Sequence, residues 1–105
     1  MQYRTLGKSN LQVSALCLGT MMFGDQTGQD EAAAIVADAR AHGVNYIDTA
    51  DVYTKGASET MLGNLLKGQR HDWVLATKLG NKISDRVNEG HYSRSRMLRE
   101  LDTSL

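Results

Sequence analysis

Three times along this chain a short apolar run ends on a polar residue and gives way to a loop and an amphipathic stretch. Ala15-Leu16-Cys17-Leu18-Gly19 leads to Thr20, Val44-Asn45-Tyr46-Ile47 to Asp48, and Trp73-Val74-Leu75-Ala76-Thr77 to Lys78. Strands that alternate with helices predict right-handed βαβ units and a parallel sheet. In such a sheet all strands point the same way, so Thr20, Asp48 and Lys78 meet at its carboxyl end, where α/β folds place their sites. A doubly wound sheet and a (β/α)₈ barrel both satisfy this pattern.

The connecting segments read as helices with legible ends. Asp30 and Glu31 put negative charge at a helix start, where the dipole favours it. Ala32, Ile35, Val36 and Ala39 share one face, and Gly43 suits the left-handed residue that ends a helix. Ser58 is expected to cap a second helix, with Met61, Leu62, Leu65 and Leu66 as its apolar face and Gly68 past its end. Gly63 inside that helix costs about 1 kcal/mol relative to Ala, which suggests a close backbone approach. Ser93 is expected to cap a third helix whose apolar positions are Met97, Leu98, Leu101 and Leu105. Ahead of these units, Gln2–Leu6 and Leu11–Ser14 flank the turn formers Gly7-Lys8-Ser9-Asn10 and predict a hairpin. Leu11, Val13 and Ala15 fall at period two, as a buried strand face requires. The Ala15–Leu18 run is expected to be buried on both faces.

Composition removes several function classes. Twelve Lys and Arg balance twelve Asp and Glu, for a net charge of zero, so no basic footprint for nucleic acid or an anionic membrane is present. No apolar stretch is long enough to span a bilayer, and no signal peptide is read. The single cysteine, Cys17, has no partner for an internal disulfide, which makes a reducing cytoplasm the expected compartment. Cys17 is expected to be a small core residue rather than a nucleophile. Cys17 and His42, His71 and His91 lack metal-ligand spacing, so no metal site is expected. Gly19–Gly24 has the glycine spacing of a phosphate loop, but Asp25-Gln26 follows in place of Lys-Ser/Thr. No G-x-G pair occurs, so the Rossmann fingerprint is absent. Arg94, Arg96 and Arg99 read as a solvated helix face. Met21, Met22 and Phe23 form an apolar loop at the end of the sheet that carries the polar residues.

The chemistry centres on Asp48, Tyr53 and Lys78. Tyr53 lies five residues past Asp48 in the same loop, within reach of the same opening. A Lys ammonium beside a phenol favours loss of the phenol's proton, and a carboxylate beside the Lys keeps it charged and oriented. Such a set can give a proton to a carbonyl oxygen. Each residue also has a plainer use: an Asp bonding loop amides, a Tyr covering apolar surface, a solvated Lys.

The same residues carry a family resemblance. Tyr3-Arg4-Thr5-Leu6-Gly7, Val13 to Gly24, Asn45-Tyr46-Ile47-Asp48-Thr49-Ala50-Asp51-Val52-Tyr53, Gly56-Ala57-Ser58-Glu59-Thr60-Met61-Leu62-Gly63 and Val74-Leu75-Ala76-Thr77-Lys78 resemble the amino-terminal part of an aldo-keto reductase. The opening hairpin and the Met-Phe-Gly loop are most similar to the bacterial and potassium-channel-β-subunit-like branch. The resemblance implies a (β/α)₈ barrel that reduces aldehydes or ketones with NADPH, or with NADH. It implies Tyr53 as the general acid, Lys78 as its partner and Asp48 holding Lys78. Gly19, Thr20, Met21 and Asp48 would line the cofactor site, and the hairpin would plug the amino-terminal end of the barrel. The family's fourth catalytic residue, a His after the fourth strand, has no match in His42, His71 or His91.

Length then takes on a different meaning. The 105 residues fit one small domain, yet such a barrel needs about 250. The chain is therefore expected to be an incomplete barrel: a hairpin at 1–14 and the first three βα units over 15–105. Two functions follow. The chain is part of an NAD(P)H-dependent carbonyl reductase, or it is a non-catalytic barrel fragment that acts by association with a complementary chain or with itself.

Overall fold

Two small sheets and three helices make up the computed structural model, which describes residues 1–82, 85 and 92–105. Strands β1 (Tyr3–Thr5) and β2 (Gln12–Ser14) form an antiparallel hairpin with Arg4 opposite Val13. Strands β3 (Leu18–Gly19), β4 (Tyr46–Asp48) and β5 (Val74–Ala76) form a parallel sheet in that order. Between them run α1 (Gln29–Ala41) and α2 (Ala57–Leu65), and α3 (Arg94–Ser104) follows β5. The alternation predicted from the apolar runs is thus the order observed. No helix among the described residues is long and apolar enough to cross a membrane.

Register sets the level of everything at the carboxyl end. Gly19 lies opposite Asp48, and Asp48 opposite Ala76. The ladder continues one step further, with the Thr20 amide donating to the Asp48 carbonyl at 3.1 Å and the Thr49 amide to Ala76 at 2.9 Å. Thr20, Thr49 and Thr77 therefore stand side by side just above the sheet, and the loops carrying Tyr53 and Lys78 begin there.

Side chains alternate across a strand, and in central β4 this separates core from site. Ile47 faces the helices and is fully buried with Phe23, Ala32, Val36, Leu62, Leu66 and Trp73. Each such side chain contributes about 1.5–3 kcal/mol of burial. Tyr46 and Asp48 project from the opposite face of the sheet. In α1 the acidic first turn and the Ala32/Val36 face are as expected, and Gly43 ends the helix at φ 82 with its amide on Arg40 O at 2.9 Å. Arg40 also pairs with Asp72, tying α1 to the turn before β5.

The hairpin sits at the amino end of the parallel sheet. Asn45, just before β4, accepts from the Ser14 amide at 2.7 Å and donates to the Gln12 carbonyl at 2.9 Å. The Tyr3 hydroxyl reaches the Gly43 carbonyl at 2.8 Å. Of its expected buried face, only Val13 is buried; Leu11 and Ala15 are exposed.

Several other expectations are corrected. Ala15, Leu16 and Cys17 are exposed rather than buried on two faces. The cause is position: β3 pairs only with β4 among the described residues and lies at the sheet edge. Ser58 does not cap α2; Gly56 is the N-cap, and Ser58 is fully buried inside the first turn. Gly63 meets no close neighbour on its side-chain side, so no backbone approach requires it. Ser93 does cap α3, accepting from the Arg96 amide at 3.3 Å. That helix, however, docks through its polar stripe. Arg96 and Glu100 are buried, while Met97, Leu98, Leu101 and Leu105 are exposed. Arg96 is thus no part of a solvated face: its guanidinium donates to the Asn81 carbonyl at 2.7 Å and lies 3.8 Å from Glu100. His42 follows the end of α1 and His71 lies in the turn before β5, both exposed. His91 lies outside the described residues.

Candidate active site

The parallel register brings Asp48 and Lys78 together from different strands. Lys78 Nζ donates to Asp48 Oδ2 at 2.6 Å and to the Thr49 carbonyl at 2.8 Å. It also stands 4.9 Å from the centre of the Tyr53 ring, within cation–π range. Both charged side chains remain partly open to solvent, 48% for Lys78 and 36% for Asp48. An ion pair so exposed contributes at most about 1 kcal/mol to stability. Its organisation points to an orienting use. Partial burial works to lower the Lys78 pKa. The hydrogen bond to Asp48 and the nearby Tyr53 phenol, with the charge of both groups, outweigh that burial and leave the ammonium above the ordinary 10.5. Lys78 is therefore held as a cation against the phenol.

Tyr53 opens a turn of 3₁₀ helix, Tyr53–Gly56, in which Thr54 and Lys55 take left-handed conformations at φ 49 and 54. A β-branched residue there is a genuine outlier, and such strain gathers at functional sites where the surroundings enforce it. The Lys55 amide donates to Val52 O at 3.1 Å, the Tyr53 amide to Ala50 O at 3.2 Å and the Asp51 amide to Lys78 O at 3.0 Å. The Tyr53 loop is thereby tied to the backbone of Lys78.

The other predicted residues fall at the same end of the sheet with different faces to solvent. Gly19 is exposed, and the space where its side chain would stand is open. Met21 is 55% exposed. Met22 is also exposed, while Phe23 of the same loop is buried in the core. Thr20 is buried, its hydroxyl donating to the Asp48 carbonyl at 3.0 Å. Cys17 is exposed and close enough to the pair to feel both charges. Partial desolvation and the Asp48 carboxylate raise its thiol pKa against the pull of Lys78. A thiol held protonated is a poor nucleophile.

Two participants escape a reading by strand ends. Thr49 and Ser58 are buried and bonded to each other at 3.0 Å beneath Asp48. The cluster of three hydroxyl residues in the motifs is the signal that could have pointed to them. No group of three or more His, Cys, Asp or Glu that could hold a metal occurs among the described residues.

Phenol, ammonium and carboxylate thus stand together at the carboxyl end of the parallel strands, groups whose chemistry suits moving a proton onto an oxygen. Comparison with known proteins places the chain more narrowly. The aldo/keto reductase family model matches residues 15–105, and the chain belongs to that family. It is 42% identical over 92 residues to the uncharacterized oxidoreductase YqkF of Bacillus subtilis, covering 88% of this chain and 29% of that protein. It is also 42% identical over 83 residues to a protein of Arabidopsis thaliana named "Probable voltage-gated potassium channel subunit beta", covering 75% and 25%. Among solved structures, the holo form of aldo-keto reductase AKR11C1 from Bacillus halodurans superposes on all of this chain and 35% of its own, with TM-score 0.85 at 38% identity. The chain thus spans about three tenths of the length of the curated relatives it matches.

Proposed function

We propose that this chain supplies the proton-donating side of an NAD(P)H-dependent reductase of aldehydes or ketones. The observation that carries the reading is the Lys78 ammonium, bonded to Asp48 and Thr49 and set against the Tyr53 ring. Tyr53 is the general acid, giving its hydroxyl proton to the carbonyl oxygen of the substrate. Lys78 stabilises the negative charge that develops on the phenol oxygen as the proton leaves. Asp48 and the Thr49 carbonyl hold Lys78 charged and aimed. In this reading the hairpin and residues 15–105 are the start of a (β/α)₈ barrel, with the hairpin at its amino-terminal mouth.

The donor set fits a nicotinamide cofactor. Gly19, with open space in place of a side chain, and exposed Met21 border the strand ends beside Asp48. These residues and Asp48 would hold NADPH, or NADH as the alternative, with the buried Thr20, its amide and carbonyl already bonded to Asp48 and Ser58, supporting them from beneath. A bound cofactor of this kind supplies hydride. The single free thiol suits a reducing cytoplasm.

A second reading is favoured by the exposed Leu16, Met97, Leu98 and Leu101 and by the outer strands of the parallel sheet, β3 and β5, which pair on one side only among the described residues. Unpaired strand edges recruit other chains. In it the 105-residue polypeptide acts only when associated with a complementary chain or with itself. One assay separates the two. The chain is joined to the remaining strands and helices of the Bacillus halodurans relative, and NADPH or NADH oxidation is followed with para-nitrobenzaldehyde. Turnover by the joined protein and none by the 105-residue chain alone is expected. Turnover by the short chain that vanishes with Tyr53→Phe overturns the second reading, and a folded but inactive joined protein overturns the first.

A further inference from the structure

Behind the Asp48–Lys78 pair three hydroxyl groups close a ring of hydrogen bonds. Thr20, Thr49 and Ser58 are 1%, 2% and 0% exposed, so none of their protons is shared with solvent. The Thr20 hydroxyl donates to the Asp48 carbonyl at 3.0 Å. The Ser58 hydroxyl donates to the Thr20 carbonyl at 2.9 Å, with Thr20 Oγ1 at 3.1 Å beside it. Ser58 has one proton and directs it at Thr20. The 3.0 Å contact between Ser58 and Thr49 must then be a donation from Thr49. Each proton is thereby used once. The path from Thr49 through Ser58 and Thr20 returns to Asp48, the residue bonded to Thr49.

The ring joins three elements: the end of β3, the end of β4 and the first turn of α2. Ser58 in that turn bonds α2 to both strand ends, alongside the apolar packing of Leu62 and Leu66. Asp48 and Thr49 are the ring's two backbone neighbours, and both acceptors of the Lys78 ammonium project from them: the Asp48 carboxylate at 2.6 Å and the Thr49 carbonyl at 2.8 Å. A shift of this short stretch would move both acceptors together. Buried hydroxyl networks that are fully satisfied rigidify what they hold.

We infer that Thr20, Thr49 and Ser58 form a positioning clamp, which fixes the Asp48–Thr49 backbone so that its carboxylate and carbonyl aim Lys78 at Tyr53. None of the three touches the reacting atoms. They act through Lys78, and their use in catalysis rests on the reductase reading above, whereas the clamp itself does not.

The test is the titration of the Lys78 ammonium in the full chain, followed by NMR of carbon-13 at lysine Cε and assigned with Lys78→Met. Thr49→Val keeps the shape of the side chain and removes the hydroxyl. It is expected to lower the Lys78 midpoint measurably, toward the ordinary lysine value. Thr49→Ser, which restores the hydroxyl, is expected to titrate as the wild type. Thr20→Val breaks the ring away from the residue whose carbonyl Lys78 uses. It is expected to act in the same direction, and it serves if Thr49→Val does not fold. A lower melting temperature with an unchanged Lys78 midpoint in a folded Val variant overturns the clamp, since the hydroxyls would then merely hold the fold together. This titration needs no turnover, so its failure leaves the Tyr53 assignment standing, and failure of the reductase assay leaves the clamp standing.

Discussion

Asp51 shows how the site's neighbours trade stability for arrangement. Its carboxyl oxygen Oδ2 is buried with no hydrogen-bond partner among the described residues. Burial, helped by the charge of Glu59, raises its pKa above the ordinary 3.8 against the pull of the Val52 amide and of Arg96. A raised carboxyl pKa means that the folded state holds the proton more tightly than the unfolded one. Stability therefore falls as pH rises from 3.8 through the folded value, and the cost is complete above it. Asp51→Asn, which removes the charge and keeps an acceptor, is expected to raise the melting temperature at neutral pH. The gain should shrink to nothing as pH falls below the carboxylate range. Calorimetry of both proteins across pH checks this, and a less stable Asn variant at neutral pH contradicts it. At this scale Asp48, Tyr53 and Lys78 were legible in the sequence because chemistry-bearing residues stood at fixed places relative to apolar runs. Ser58 was legible only as a polar residue near a helix start, since its burial depends on Thr49 and Thr20, nine and thirty-eight residues away.

Elements were predicted best where local pattern and tertiary packing agree. Helix α1 follows its own periodicity because the sheet face it covers is present, with Ile47 beneath Ala32 and Val36. Helix α3 shows the opposite. Its periodicity marks Met97, Leu98, Leu101 and Leu105 as the face to bury, yet Arg96 and Glu100 are the buried positions. The reason lies in what the neighbouring helix offers. Glu59 of α2 accepts from Thr77 at 2.5 Å and from Ser104 at 3.2 Å, so the surface met by α3 is polar and charged. A periodic pattern tells which side chains share a face; the chemistry of the neighbour decides which face docks. Breaking a buried charged contact costs about 3–5 kcal/mol, whereas exposed substitutions stay within about 0.5 kcal/mol. Arg96→Ala is therefore expected to destabilise the chain by about 3 kcal/mol in urea denaturation and Leu98→Ala by no more than about 0.5 kcal/mol. The reverse ranking would mean that α3 packs through its apolar side.

At the scale of the whole molecule, apolar surface and open edges dominate. Strands β3 and β5 each bond to β4 alone among the described residues, and Leu16, Met97, Leu98, Leu101 and Leu105 are exposed together with them. Edges and apolar patches of this kind drive association. Sedimentation of the 105-residue chain is expected to show dimers or larger species that dissociate as the protein is diluted. A monodisperse monomer across the concentration range contradicts that expectation. The apolar run Ala15–Leu18 suggested a strand covered on two faces, a property set by neighbouring elements as much as by composition. The same relation links length to function: two neighbouring strand ends, those of β4 and β5, suffice to assemble phenol, ammonium and carboxylate at one edge.

The rate of NADPH or NADH oxidation by the joined barrel carrying Tyr53→Phe is the decisive measurement. Removing a general acid costs about 10²–10⁴-fold in rate. A loss of that size is expected with aldehyde reduction, while the Phe variant keeps its melting temperature and its affinity for the nicotinamide cofactor. An unchanged rate would show that the proton comes from elsewhere, and that Lys78 and Asp48 orient a phenol with no part in the chemistry.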